Sequence, residues 1–310
     1  MNQSARRQRL ARIAPFAGVL IGLAGVAFVT RTLVTRWDDV RRSLSGVDVA
    51  ALAGSVAVGL AAMTLIGAVW VRLLQARGHH APVRRAMSWY YVGQLGKYVP
   101  GGIWPIVGRA ELAVRGGVPR GDAYGATAYS LVSTYAAAAA AVGIGSVLSR
   151  THPLAGLIVA AGAGVGWFVL GSQRLLDRAT AAVARVTGKS FSFPPRREFL
   201  RLTAAHLPSW LLMSLSTSIT ARALGADIGP AHMLFVTSLS WLAGFVVVGV
   251  PGGIGVRESV FTALAGGTIG TPVAVSLALV SRLVFISVDV IGAVVSSAVA
   301  GTARGASAER

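Results

Sequence analysis

The sequence predicts an all-α polytopic membrane protein, and three observations carry that prediction. Of its 310 residues, 54% are hydrophobic and only 13% are charged, more apolar surface than a soluble domain of this length could bury. Several uncharged stretches approach about 20 residues, the length that a helix needs to cross the hydrocarbon layer. Two further apolar stretches are interrupted by Pro-Gly-Gly. The fold class predicted is a membrane helix bundle of about six spans plus two re-entrant helical hairpins in an inverted repeat.

The predicted spans follow a basic segment, residues 1–13, which carries four arginines. No small-x-small cleavage motif follows the first apolar stretch, so we expect a retained span with the N-terminus in the cytoplasm rather than a removed signal peptide. Glycines four residues apart in the first and fourth spans favour close helix packing within the bundle. The six predicted spans are residues 14–30, 47–71, 122–148, 153–171, 201–221 and 272–300.

The two interrupted segments are residues 86–115 and about 231–267. Each contains an apolar arm, a Pro-Gly-Gly break and a second arm, and the breaks start at Pro100 and Pro251, 151 residues apart, about half the chain. If both segments are re-entrant hairpins, each half of the chain makes three net crossings. An odd number of crossings per half is what an inverted repeat requires.

A second topology remains open. Residues 231–250 are long enough for a full crossing, which would turn the second break into a surface loop and put the C-terminus outside. Apolar length alone does not separate the two topologies.

Charge placement agrees with the hairpin topology. The chain has 29 Lys and Arg against 11 Asp and Glu, a net charge of +18, and 21 of the 29 basic residues fall on the predicted cytoplasmic side. Residues 35–48, "TRWDDVRRSLSGVD", place three arginines outside, and we interpret them as an amphipathic helix on the membrane surface. Anionic lipid headgroups account for the basic loops, so no nucleic acid is expected as a partner.

The Pro-Gly-Gly breaks predict a polar site at depth. Backbone groups freed by a break must be satisfied by protein or by a wet cavity, and a helix that starts after the break points its N-terminal amides at an anion. Arg257 and Glu258 follow the second break, and Arg109 and Glu111 follow the first; their alternative role is to hold the hairpins together. The predicted substrate-binding residues are Lys97, Pro100, Gly101, Gly102, Arg109, Glu111, Pro251, Gly252, Gly253, Gly255, Arg257, Glu258, Arg282 and Asp289.

Arg282 and Asp289 lie seven residues apart in the last span, so they share a helix face. They are separated by about 10 Å along the axis, too far for a direct pair, and each needs a partner on a hairpin. Glu258 is the expected partner of Arg282. Asp289 is either a proton carrier or a structural counter-ion. His206 in the fifth span is interpreted as a buried donor.

The sequence offers no catalytic or metal site. Cysteine is absent, which excludes disulfides and thiolate ligands. "VTGKS" (186–190) resembles the end of a phosphate-binding loop, but Val183 stands where that loop needs glycine. His-Glu-x-x-His and Gly-x-Ser-x-Gly motifs are missing as well. No cofactor is therefore predicted. Because the sequence contains no ATP-binding motif, any transport by this protein would have to be passive or driven by an ion gradient.

Two stretches, "GQLGKYVPGGIWPIVGRAELA" (93–113) and "VPGGIGVRES" (250–259), carry a family resemblance. The chain resembles a flippase-like integral membrane family related to the transmembrane region of lysylphosphatidylglycerol synthases. The resemblance implies one transmembrane domain over 14–300, with half-repeats of about 14–150 and 151–300, and a short tail, 301–310. The positions that match the family motifs are Pro100, Gly101, Gly102, Pro251, Gly252, Gly253, Gly255, Arg257 and Glu258.

That resemblance implies a multi-pass protein of the cell membrane that moves a lipid with an anionic headgroup between leaflets. In the relatives a soluble aminoacyl-transferase domain follows the membrane region, and this chain stops at Arg310, so it is expected not to be an enzyme. Two alternatives stay open: a non-transporting partner of an envelope glycosyltransferase or lipid-modifying enzyme, and a membrane-embedded transferase that lacks an evident acid–base pair. The oligomeric state is not predicted.

Overall fold

Every regular element that the computed structural model describes is a helix. The described residues are 31, 34–35, 37–99, 103–151, 153–154, 156, 158–159, 161–162, 174, 178, 196–246 and 251–308. The helices are α1 (Trp37–Leu44), α2 (Val49–Ala76), α3 (Val83–Gln94), α4 (Trp104–Arg115), α5 (Arg120–Ser149), α6 (Arg196–Ala223), α7 (Pro230–Val246), α8 (Val256–Ile269) and α9 (Thr271–Ala308).

Three helices, α2, α5 and α9, are long and apolar enough to cross a membrane. They coincide with the predicted spans 47–71, 122–148 and 272–300. The number of six spans stays a prediction, because residues 14–30 lie outside the described part of the chain and residues 153–171 lie mostly outside it.

Helix α6 contains the predicted span 201–221 and is long enough to cross, but it is less apolar than the three spans. Two of its hydroxyl groups, those of Ser216 and Thr220, contact Ser55 of α2. The Ser55 and Thr220 hydroxyl oxygens lie 2.7 Å apart, and the Ser216 hydroxyl donates to the Ser55 carbonyl at 2.9 Å. Hydrogen bonds of this kind join helices in an apolar environment, where unpaired polar groups are costly.

Both interrupted segments form a helix, a break and a second helix. The first hairpin consists of α3, a 3₁₀ turn (Leu95–Tyr98) and α4, and the second consists of α7, a 3₁₀ turn (Pro251–Gly253) and α8. Within each hairpin the two arms pack against each other, and the two 3₁₀ turns touch. Residues 100–102, which are the Pro-Gly-Gly of the first break, and residues 247–250, which precede the second break, lie outside the described residues. The re-entrant insertion of the hairpins and the inverted repeat remain predictions.

Each hairpin has a glycine where its arms meet. A Cβ on Gly93 of α3 would lie 2.8 Å from the Cα of Arg109 on α4, and a Cβ on Gly244 of α7 would lie 3.2 Å from the Cβ of Arg257 on α8. Both glycines stand seven residues before the proline of their break. The missing side chains therefore let each second arm pack directly on the backbone of the first.

The second break also depends on glycine conformation. Gly252, Gly253 and Gly255 have φ values of 55°, 68° and 81°, in the left-handed region that other residues adopt at a cost. Three left-handed residues within four positions turn the chain into α8, and Gly253 packs on Gly244. The Pro-Gly-Gly-Ile-Gly spacing is thus explained by backbone geometry.

Helix α9 connects the two hairpins. It packs against α8 of the second hairpin and against α3 and the 3₁₀ turn of the first, and it also contacts α2. The remaining large interfaces join α2 to α6 and α5 to α7. Helix α1 confirms a helix within residues 35–48; Val40 is buried while Asp38, Arg41 and Arg42 are exposed, as an amphipathic helix requires. Its position on the membrane surface stays a prediction.

We predict that Gly93→Ala destabilises the protein by about 1–3 kcal/mol, because its methyl group would overlap the α4 backbone at Arg109. The measurement is the denaturation midpoint in mixed micelles. Gly108→Ala is the matched control, since a Cβ there would meet its nearest neighbour at an ordinary 3.7 Å. Equal midpoints for the two variants would contradict the close approach of α3 and α4.

Candidate functional site

A cavity of about 430 Å³ lies between the two hairpins, α5 and α6. The 3₁₀ turns of both hairpins contribute to its wall: Lys97 and Tyr98 from the first, and Gly252 and Gly253 from the second. Four basic side chains line it, namely Lys97, Arg109, Arg257 and Arg282, and its aromatic wall comprises Tyr90, Tyr98, Tyr135, Trp210, Trp241, Phe245 and Phe285. The cavity is therefore basic at the breaks and aromatic elsewhere.

Asp289 of α9 binds the first hairpin. One of its oxygens, Oδ2, accepts from the Lys97 ammonium group at 2.5 Å and from the Tyr98 hydroxyl at 2.5 Å. The Asp289 side chain is only 1% exposed, and its other oxygen has no hydrogen-bond partner among the described residues. Asp289 thus neutralises Lys97 from behind the cavity wall.

Glu258 of α8 performs the corresponding role for Arg282. Its Oε1 binds the Arg282 guanidinium, so the pair expected from the sequence is formed. Its Oε2 accepts from the backbone N–H of Gly255 at 2.7 Å, which caps the N-terminus of α8. The expectation that this helix end binds an anion stays a prediction, and one amide there, that of Gly255, is already bound by Glu258.

Arg257 and Arg109 have no carboxylate partner among the described residues. The Arg257 guanidinium carbon lies 3.9 Å from the centroid of the Trp241 ring. The Arg109 guanidinium lies 4.5 Å from the Tyr90 ring centroid and donates to the Gln94 side-chain oxygen at 3.2 Å. Cation–π contacts of this kind stabilise a desolvated guanidinium without neutralising its charge.

The charge of the site is consequently positive. Asp289 and Glu258 form ion pairs with Lys97 and Arg282, whereas Arg109 and Arg257 form no ion pair with a described residue, so the four cations exceed these two carboxylates by two charges. Arg109 is only 5% exposed, and its Nε is buried without a hydrogen-bond acceptor. Uncompensated buried charge is expensive, so an anion in the cavity would lower the free energy of the folded protein.

The two stacked arginines are held by similar constructions. Tyr90 and Trp241 each stand ten residues before the proline of their break, on the first arm of their hairpin. In each case an arginine from the second arm lies over the ring. The arginine positions differ by three residues relative to the prolines, close to one helical turn.

The structure brings most of the predicted site residues together, but not all. Lys97, Arg109, Gly252, Gly253, Arg257 and Arg282 line the cavity, with Gly255, Glu258 and Asp289 directly behind them. Glu111 lies elsewhere: it binds Arg120 at 2.8 Å and the Tyr124 hydroxyl at 2.7 Å, and it does not line the cavity. Pro100, Gly101 and Gly102 lie outside the described residues, as does the side chain of Pro251.

Sequence reasoning missed the aromatic members of the site. Tyr98 binds Asp289, and Tyr90 and Trp241 hold the two arginines. The 151-residue shift that relates the two prolines also relates Tyr90 to Trp241 and Gly93 to Gly244. Extending that comparison beyond the breaks would have found both rings. His206 is buried as expected, with its Nδ1 2.8 Å from the Leu202 carbonyl.

A family model matches most of the chain. The family is described as the lysylphosphatidylglycerol synthase transmembrane region, and the match covers residues 16–292, which include both hairpins and the cavity. No individually curated protein matches the chain significantly.

We predict that Asp289→Leu lowers stability by about 3–5 kcal/mol, because it leaves Lys97 buried without a counter-charge. Adding Lys97→Met should restore much of the loss, since the charge and its partner are then both removed. Glu111→Gln is the control and should cost under about 1 kcal/mol, because Arg120 is 60% exposed and water screens that pair. Denaturation midpoints of the purified variants measure all three effects, and a double variant as unstable as Asp289→Leu would contradict the ion pair.

Proposed function

We propose a function from a premise that the family match supplies: the chain belongs to the family of the lysylphosphatidylglycerol synthase transmembrane region. Membership indicates a membrane protein linked to lipid metabolism. The function proposed is that of a flippase, which moves a lipid with an anionic headgroup between the leaflets of the cell membrane. The observation that carries the proposal is the cavity between the two breaks, with two arginines that no described carboxylate neutralises.

The side chains around the breaks support a position within the hydrocarbon layer. Val99, just before the first break, is 47% exposed, and Ile254 at the second break is 42% exposed; neither lines the cavity. Exposed apolar groups at both tips favour lipid contact over water contact. A re-entrant insertion, in which the broken backbone faces a protein cavity while the apolar side chains face lipid, satisfies both requirements.

The cavity has the size of a headgroup site rather than of a whole lipid. A volume of about 430 Å³ lies within the range of small-molecule pockets, so acyl chains would remain in the bilayer. Tyr135 of α5 and Phe245 of α7 stack at the wall with ring centroids 3.7 Å apart, and Phe245 is 44% exposed. We place the passage between the cavity and the bilayer at this aromatic pair, because parting two rings from different helices would open the wall sideways.

The similar construction of the two hairpins supports alternating access. In an inverted repeat, equivalent elements from the two halves exchange their roles as the site opens to one side and then the other. Here each half supplies one break, one ring and one stacked arginine. A headgroup held by both arginines would pass from one hairpin to the other while remaining paired. On this topology the N-terminus is cytoplasmic.

We predict that Arg257→Ala slows lipid translocation about tenfold or more, because it removes a charge-assisted contact to the headgroup. The assay uses purified protein in phosphatidylcholine vesicles with trace fluorescent phosphatidate or phosphatidylglycerol. A membrane-impermeant quencher reports the probe that reaches the outer leaflet over time.

Arg120→Ala is the matched control, since Arg120 is an exposed cation that pairs with Glu111 outside the cavity. Chromatography and the denaturation midpoint establish that both variants are folded. Equal translocation by wild type and Arg257→Ala would remove Arg257 from the mechanism. A wild-type protein that translocates neither probe would contradict the transporter and favour a dependence on a partner enzyme.

A further inference from the structure

We infer that the cavity selects a headgroup with two negative charges, either a phosphomonoester dianion or two neighbouring phosphodiesters, over a single phosphodiester. The inference rests on the proposed function, because it concerns the occupant of the same cavity. It follows from the balance of charge and from the way in which the arginines are held.

The balance of charge sets the preference. Of the four cations at the wall, Lys97 and Arg282 are neutralised by carboxylates behind them. Arg109 and Arg257 are not neutralised by any described residue, which leaves two positive charges in an apolar and aromatic enclosure. A monoanionic headgroup would leave one of them uncompensated, whereas a headgroup with two charges compensates both.

The stacking of both arginines keeps their donors available. The guanidinium carbons of Arg257 and Arg109 lie over the rings of Trp241 and Tyr90. An aromatic ring is a weak hydrogen-bond acceptor and carries no charge, so these contacts hold the guanidinium groups while their N–H groups can still bind phosphate oxygens as a planar fork. Arg109 is 5% exposed and its Nε is without an acceptor. A buried donor without an acceptor, beside a cavity, indicates that an acceptor is supplied by an occupant.

The two arginines also come from different hairpins, Arg109 from the first and Arg257 from the second. An occupant that binds both at once must present anionic oxygens on more than one side. A phosphomonoester has three terminal oxygens, and two adjacent phosphodiesters have two separate oxygen pairs. A single phosphodiester, substituted on two sides, presents one pair.

The same balance argues against an aminoacylated phospholipid as the cargo. A lysylphosphatidylglycerol headgroup combines one phosphodiester with two amino groups that ionise near or above neutral pH, so its net charge is not negative. Its ammonium groups would meet two unneutralised guanidinium groups. The carboxylates that could have received them, Asp289 and Glu258, are already bound to Lys97 and Arg282.

The test is a lipid-binding series on the full chain in phosphatidylcholine nanodiscs at pH 8, read by native mass spectrometry. The probes are phosphatidate, cardiolipin, phosphatidylglycerol and lysylphosphatidylglycerol. We expect phosphatidate, cardiolipin or both to bind at least about tenfold more tightly than phosphatidylglycerol, as one additional charge-assisted contact allows. The inference is overturned if phosphatidylglycerol binds as tightly as phosphatidate and cardiolipin do, or if lysylphosphatidylglycerol binds most tightly of the four.

Acidification identifies which chemistry supplies the two charges. A phosphomonoester dianion takes up one proton near pH 6 and becomes a monoanion, so phosphatidate should lose its advantage at about pH 5, whereas cardiolipin keeps both charges. Arg109→Gln and Arg257→Gln should each reduce the preference for the dianion by about tenfold, and Arg115→Gln, at an exposed position on α4, should leave it unchanged. Folded glutamine variants that retain the full preference also overturn the inference.

Failure of this inference is distinct from failure of the proposed function. Translocation without any preference for two charges would leave the flippase standing and remove the selectivity. A clear preference for two charges in a protein that translocates no lipid would support the selectivity and contradict the flippase.

Discussion

The two charges of helix α9 are the constraint on which the arrangement of the site depends. Asp289 binds Lys97 on the first hairpin and Arg282 binds Glu258 on the second, so a single helix fixes both breaks. Neither charge can be left unpaired in an apolar interior, and seven residues on one helix face set their separation. The 3₁₀ turns of the two hairpins touch each other, and both contribute to the wall of the cavity.

The polar groups at the breaks are satisfied in three different ways. Ion pairs neutralise two of the cations, a glutamate side chain binds the Gly255 amide just before α8, and the other two cations lie over aromatic rings. Only the third arrangement leaves positive charge in excess, because an aromatic ring carries no formal negative charge. The carboxylates of the site are therefore already bound in ion pairs. The excess positive charge of the cavity comes from the two arginines that lie over aromatic rings.

The sequence predicted the parts of the fold that depend on local composition. The helices α2, α5 and α9 follow from uninterrupted apolar length, and both breaks follow from Pro-Gly-Gly, whereas the polar inner face of α6 hid its packing on α2. The Arg282–Glu258 pair was foreseeable because few acids lie within reach. The Lys97–Asp289 pair was not, since 192 residues separate its members. Glu111 was expected beside Arg109 in the site, but it does not line the cavity. Residues two apart on a helix point to nearly opposite sides, so the closeness of Glu111 to Arg109 in the sequence did not indicate a shared position.

The pairing of Lys97 with Asp289 has a consequence for biogenesis. At about 5–20 residues per second, a ribosome that has just made Lys97 needs about 10–40 s to reach Asp289. During that interval the nascent first hairpin holds an ammonium group whose counter-ion does not yet exist. The final packing of this hairpin therefore has to wait for α9, so the hairpin that is translated first is among the last parts of the described chain to reach its final structure.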